Sequence, residues 1–198
     1  RTSNSSGKPQ ADAVPDARGI AIKLLAPAGK GTAKEGDTPL GQDFVLLSAP
    51  TMPLGTVAMF RDAVFYTIES TALLLGAKLL LTGKAGALLD LSSLRIRPNS
   101  PLDIRYWSTT PYLFGKGVAV KYSLRPTSKH RSPAPATRGD DYLSEAMQAH
   151  LSRHVASFDF CVQLRKGDMP IEDAGQRWDE RRSPFIKVAT LQIPTQNF

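Results

Sequence analysis

One cysteine and three histidines are nearly all that this chain offers of the side chains that build redox and metal sites. A lone cysteine, Cys161, closes no internal disulfide and cannot by itself make a zinc site. Long apolar runs are missing too. The most apolar stretch, TALLLGAKLLLTGKAGALLDL at 71–91, is interrupted by Lys78, Lys84, Asp90 and three glycines. It falls short of the roughly 20 apolar residues that a membrane helix needs. The first residues lack the charged-then-apolar pattern of a secretory signal. Internal repeats and low-complexity tracts are absent as well. These absences predict a soluble, cytoplasmic protein with no membrane partner.

What is present suits one domain spanning 1–198: 41% hydrophobic residues and 22% charged, enough to bury a core. Fifteen glycines and fifteen prolines predict many turns. The net charge of +7 would suit an anionic partner, although excess Lys and Arg more usually serves solubility.

Along the chain, GIAIKLL (19–25) and DFVLLSA (43–49) read as strands ended by Pro and Gly, with a loop, KGTAKEGDTPLGQ, between them. From Thr56 the apolar residues Phe60, Val64 and Ile68 recur every fourth position, which predicts helix to about Leu81. IRYWSTTPYLFG and GVAVKYSLRP predict a strand, a Gly-Lys-Gly turn at 115–117 and a returning strand. DDYLSEAMQAHLSRHVA carries acids at its start and places Tyr142, Leu143, Met147 and Leu151 mostly on one face, so it predicts an amphipathic helix. FDFCVQLRK and PFIKVATLQIP, joined by the MPIEDAGQRWDE connection, are strong strands. Six strands and two helical zones predict a mostly antiparallel α+β fold.

Candidate sites read from residue types alone are weak. LLAPAGKGT ends in Gly29-Lys30-Gly31-Thr32 but has Leu24 and Pro27 where a phosphate loop needs glycines, and proline offers no N–H; it is read as a loop. His150 and His154 are four apart on the expected helix, but with no third ligand nearby they are read as solvated, and His130 as exposed. No metal site is assigned. Ser48 and Ser108 lack both a nucleophile elbow and a histidine partner. Lys121, Arg125, Lys129, Arg131 and Arg138 could meet phosphates, but no nucleic-acid module surrounds them.

Taken together, several runs resemble the haem catalase superfamily, in particular its small catalase-related, peroxidase-like branch. DARGIAIKL is similar to that family's Asp-x-Arg-Gly-x-Ala-x-Lys strand, and QDFVLLSAP to the strand that follows it. YWSTTPYLFG with VKYSLRP, then FDFCVQL with MPIEDAGQRWDE and SPFIKVATLQIPTQNF, follow in the family's order. The resemblance covers essentially the whole chain and is most specific over 158–198.

The resemblance implies an antiparallel β-barrel with inserted helices, incomplete in this chain, and haem b as the cofactor. It implies hydrogen peroxide, or a small organic peroxide, as substrate, disproportionated or used to oxidise small organic molecules. A homo-oligomer is compatible with it. RTSN resembles the family's Arg-Phe-Ser strand, which makes Arg1 the haem-propionate partner and Ser3 its small polar neighbour. Gly19 matches a glycine that lets backbone approach the macrocycle. Val45 matches an apolar wall residue, and Phe60 the aromatic stacked over a pyrrole on the distal side. The family's distal histidine lies upstream of that first strand, and its iron-ligating tyrosine lies downstream of IPTQNF in an Arg-x-x-x-Tyr helix. No catalytic residue is therefore assigned, and the chain alone is expected to be inactive. Arg138 and Tyr142 have the arginine-to-tyrosine spacing but start a different helix, so Tyr142 is read as packing.

The sequence departs from the family at the distal asparagine, where Leu47 and Ser48 stand, and APTMPLG lacks the usual paired phenylalanines. The alternative reading is a degenerate, non-enzymatic barrel that binds an apolar or anionic ligand, or, less favoured, nucleic acid through 121–138.

Overall fold

The structure, a computed structural model, describes residues 9–25, 41–52 and 54–198. The loop and phosphate-loop readings between 26 and 40 lie outside the described residues, as do Arg1 and Ser3.

Side chains alternate across a strand, so a half-buried ladder sorts its residues by parity. β1 (Gly19–Leu24) and β2 (Gln42–Leu47) form such an antiparallel ladder, with Ile20 opposite Leu46 and Ile22 opposite Phe44. Those residues face the core, where Phe44 and Leu46 are buried. β3 (Tyr106–Trp107) continues the sheet from β2, followed by β5 (Ala119–Pro126), β6 (Ala156–Leu164) and β7 (Ile186–Ile193). β4 (Tyr112–Leu113) pairs with β5 off that path. The β4–β5 hairpin turns through the expected Gly-Lys-Gly, where Gly115 and Gly117 both take φ of 76°, a region that favours glycine.

The sheet curls tightly. Adjacent strands lie about 4.8 Å apart, so β2 and β6, three ladders apart, would be ~14 Å apart if the sheet were flat. Yet the Phe44 and Phe160 rings sit 5.2 Å apart, and Phe44 and Tyr122 5.0 Å apart, in edge contacts. Leu46, Val120, Leu124 and Phe158 fill the concave side. The described strands form an open half-barrel, with β1 and β7 at its two edges.

Where one helical zone is expected at 56–81, two helices form, and a third, not expected, follows it. They are α1 (Val57–Glu69), α2 (Ala72–Leu81) and α3 (Ala85–Ser93). Thr56 and Thr71 explain the restarts: each hydroxyl accepts a hydrogen bond from the backbone N–H three residues on, capping a new helix. Gly83, at φ 71°, separates α2 from α3. α4 (Tyr142–Leu151) ends earlier than the amphipathic pattern predicts, because Ala156 already belongs to β6. The Asp12 carboxylate accepts from the Leu143 N–H and so tethers the N-terminal segment to the start of α4.

The 165–185 connection covers the convex side of β5 and β6. Trp178 is buried there and donates to the Pro170 carbonyl, while Gln163 donates to the carbonyls of Ser183 and Trp178. Among the described residues, no helix is long and apolar enough to cross a membrane.

Candidate functional site

The convex face of β1–β2 differs from the rest of the sheet. Gly19 stands opposite Leu47, and Ala21 opposite Val45, all on this face by strand parity. Val45 is 61% exposed; it pairs with Ala21 of β1, whereas β3 meets β2 only at Leu47. The strip is apolar in the middle and charged at one end, where Lys23 stands opposite Asp43. Gly19 and Val45, chosen from the sequence, thus share one surface. Phe60 belongs to α1 and is 55% exposed; the tertiary contacts of α1 run chiefly to α2.

This strip fits one face of a flat apolar group such as haem, because small and apolar side chains leave a plane free. It does not supply an iron ligand: neither β1 nor β2 contains a His, Cys or Tyr. Nor is any group of three His, Cys, Asp or Glu among the described residues arranged to hold a metal ion.

The other end of the strip is fixed by backbone and buried charge. The Ser48 hydroxyl accepts from the Arg18 N–H at 3.0 Å, and the Ser48 N–H donates to the Arg18 carbonyl at 2.8 Å. The hydroxyl at the expected asparagine position thus takes part in joining the start of β1 to the end of β2. Arg18 is only 2% exposed. It donates to the carbonyls of Asp12 and Val14 and lies 3.6 Å from the Asp12 carboxylate. The sequence reading passed over Arg18, although an arginine one residue before Gly19 was the available signal.

The basic stretch is not a free patch. Lys121 and Arg125 belong to β5, not to a loop. Lys121 is 3% exposed, and its Nζ donates to the Gln176 carbonyl and sits 5.4 Å from the Trp178 ring centroid. Burial pulls its pKa down to about 8, against a smaller upward pull from Asp173. Arg125 shares Glu180 with Arg105 and Arg177. Arg131 pairs with Asp103, and Arg138 donates to the Asn99 side chain. Four of the five cations of a nucleic-acid surface built on 121–138 thus already have partners within the fold.

His154 is exposed, as expected, but His150 is buried and His130 half-buried, and a third imidazole does lie beside the pair. His150 is 1% exposed, and all three rings meet: His130 stacks on His154 at 4.3 Å and lies edge-on to His150 at 4.7 Å. Residue types in sequence could not reveal this, because His130 arrives on a loop anchored elsewhere. Tyr142 is buried and donates to the Pro98 carbonyl, as the packing reading expects.

A curled antiparallel sheet, with helices inserted between β2 and β3 and again between β5 and β6, places this chain in the catalase-like fold class. Comparison with solved structures gives that class its members. The chain is similar to a fungal catalase at 17% identity and a TM-score of 0.73, with 100% of this chain and 42% of that one covered. A bacterial catalase matches at 15% identity and a TM-score of 0.68, with 100% and 41% covered. Catalase A from Saccharomyces cerevisiae matches at 15% identity and a TM-score of 0.70, with 100% and 43% covered. The chain thus spans less than half the length of these catalases, and identities this low establish the fold alone. No protein-family model and no curated protein matches the sequence.

Proposed function

We propose that this chain is the half-barrel portion of a catalase-related haem protein, with the convex strip of Gly19, Ala21, Val45 and Leu47 forming one wall of the haem pocket. The observation that carries this reading is an exposed valine on β2, set in an apolar strip, within a fold that matches catalases along the whole chain. Arg1 and Ser3 would meet the propionates, and Phe60 would pack over one edge of the macrocycle. Bound haem supplies the peroxide chemistry: disproportionation of hydrogen peroxide, or peroxide-dependent oxidation of small organic molecules. The part of β1 and β2 is to exclude water from one haem face and hold the group by apolar contact. An acid–base group and an iron ligand are not among the residues of this wall.

The engagement of Ser48 favours a second reading, a binding module on the same scaffold without peroxide turnover. A serine hydroxyl there is shorter than a carboxamide, and its oxygen is drawn toward the Arg18 N–H, so it reaches less far toward a peroxide.

Haemin titration tests the wall. The expected result is a sharpened, shifted Soret band with saturable quenching of tryptophan fluorescence, both lost in Val45→Asp while the fold is retained by circular dichroism. An unshifted band in the wild type, or undiminished binding by Val45→Asp, refutes it. Peroxide consumption by the haem-loaded protein then separates the enzymatic reading from the binding module.

A further inference from the structure

All three histidines of the chain come from two separate elements and meet at one place. His150 is the penultimate residue of α4, and His154 follows one turn later, its N–H donating to the His150 carbonyl. His130 arrives from the proline-rich loop that follows β5. That loop is docked by its neighbours: the Asp103 carboxylate accepts from the Ser132 N–H at 2.7 Å and from Arg131 at 3.3 Å. Ser128 exchanges hydrogen bonds with the backbone of Ser157. The loop and α4 together line a cleft of about 530 Å³.

The docked arrangement leaves polar atoms poorly served. Neither ring nitrogen of His150 makes a hydrogen bond of ordinary geometry, and the Ser132 hydroxyl is likewise buried without a partner. Each such group costs free energy relative to water, so opening the loop recovers hydration that the closed state forgoes. A positive charge on buried His150 would meet the His130 ring edge-on at 4.7 Å and little water.

We propose that His130, His150 and His154 form an acid-released latch, which holds the 127–138 loop against the C-terminal turn of α4 at neutral pH and frees it when buried His150 protonates.

The groups facing His150 set the direction. From the loop comes His130, with Arg131 beyond it, and from the short 3-10 turn Pro101–Asp103 comes the Asp103 carboxylate. α4 and the turn after it bring Glu145, Arg153 and His154 to the cleft. Burial and then the charge of His130 hold His150 below the usual imidazole range, against smaller upward pulls from the Val155 backbone and Asp103. Asp103 already serves Arg131 and Ser132, so it does not neutralise the cluster. The open loop therefore binds a proton that the closed one resists, and the closed state weakens as pH falls through the ordinary histidine range.

Hydrogen exchange on the full chain, expressed as protection factors for 127–138 at about pH 7.5 and about pH 5.5, tests the latch. Protection of these amides relative to the β5–β6 core should fall on the order of tenfold, one decade per pH unit over which only the open form is protonated. His150→Phe should abolish this fall. His130→Phe, at a half-buried position, serves as a second variant in which the ring contact survives. There the His150 imidazole signal, followed by NMR, should titrate at higher pH than in the wild type. Equal protection at both pH values in the wild type overturns the proposal, as does undiminished acid opening in both variants.

Discussion

Lys121→Met isolates the cost of an ammonium group buried under the 165–185 connection. In the folded chain burial depresses its pKa from 10.5 to about 8. The difference corresponds to roughly 3 kcal/mol of destabilisation while the group is charged in both states. That figure already contains the attraction of Asp173 for the charged form. Methionine removes the charge cost, keeps much of the packing volume, and forfeits the hydrogen bond to the Gln176 carbonyl, worth about 1 kcal/mol. The variant should therefore be more stable at neutral pH by about 2 kcal/mol, or ~4–8 °C in melting temperature for a chain of this size.

The pH dependence makes the argument specific. Below about pH 8 both folded and unfolded chains hold the proton, and the whole cost is present. Between there and 10.5 only the unfolded chain holds it, so wild-type stability gains from Lys121 as pH rises. Urea unfolding of both proteins across this range, with the difference taken at each pH, removes the contributions of all other groups. The advantage of Lys121→Met should shrink steadily as the pH rises through that window. A variant less stable than the wild type at neutral pH would refute the reasoning, and so would a difference that does not change with pH.

Gly55→Ala should destabilise by about 1–3 kcal/mol, since an added Cβ would lie 2.5 Å from the Gly175 nitrogen and 2.7 Å from its Cα, and backbone does not yield as a side chain tip does. A thermal melt followed by Trp178 fluorescence, the reporter of the same connection, checks it. Glu180→Gln leaves Arg105, Arg125 and Arg177 without their shared carboxylate. With the acid 28% exposed the loss should be only about 1–2 kcal/mol and should narrow at high salt in urea unfolding.

How much of this could be read in advance depended on whether the signal was local. β1, β2, β5, β6 and β7 were legible because each alternates or runs apolar over at least six residues between Pro, Gly or charged stops. The run from Ile104 to Gly115 read as one strand, but it holds two strands of two residues each, interrupted by Ser108 and Thr109, both buried. The Ser108 hydroxyl accepts from the Tyr122 N–H and takes over a ladder bond there. The helical zone at 56–81 was legible as helix but not as two, because a threonine cap inside an apolar run reads as just another helical residue; α3 lay beyond the expected zone. Gly19 and Val45 came from family resemblance, and only the register showed them on one surface. The histidine cluster was closed to sequence reasoning, since Asp103, 27 residues before His130, is what brings the loop to α4.

The position of the candidate wall follows from how the two faces of the sheet are used. On the convex side of β5 and β6 the chain places Lys121, Ser123, Arg125 and Gln163, and each finds a partner: Gln176, Arg105, Glu180 and Ser183 respectively. A polar surface so completely met from 165–185 and the start of β3 has no capacity left for a large apolar ligand. On the same side of β1 and β2 the residues are Gly19, Ala21, Val45 and Leu47, which make no polar demand. The free-energy gain from covering them, about 25 cal/mol per Å² of apolar surface, is still available to whatever lies there. Lys23 opposite Asp43 marks the wet end of that strip, and Ser48 locked to Arg18 marks the other. Under the proposed reading, this strip would meet the apolar face of a porphyrin, with Lys23 and Asp43 at a polar edge.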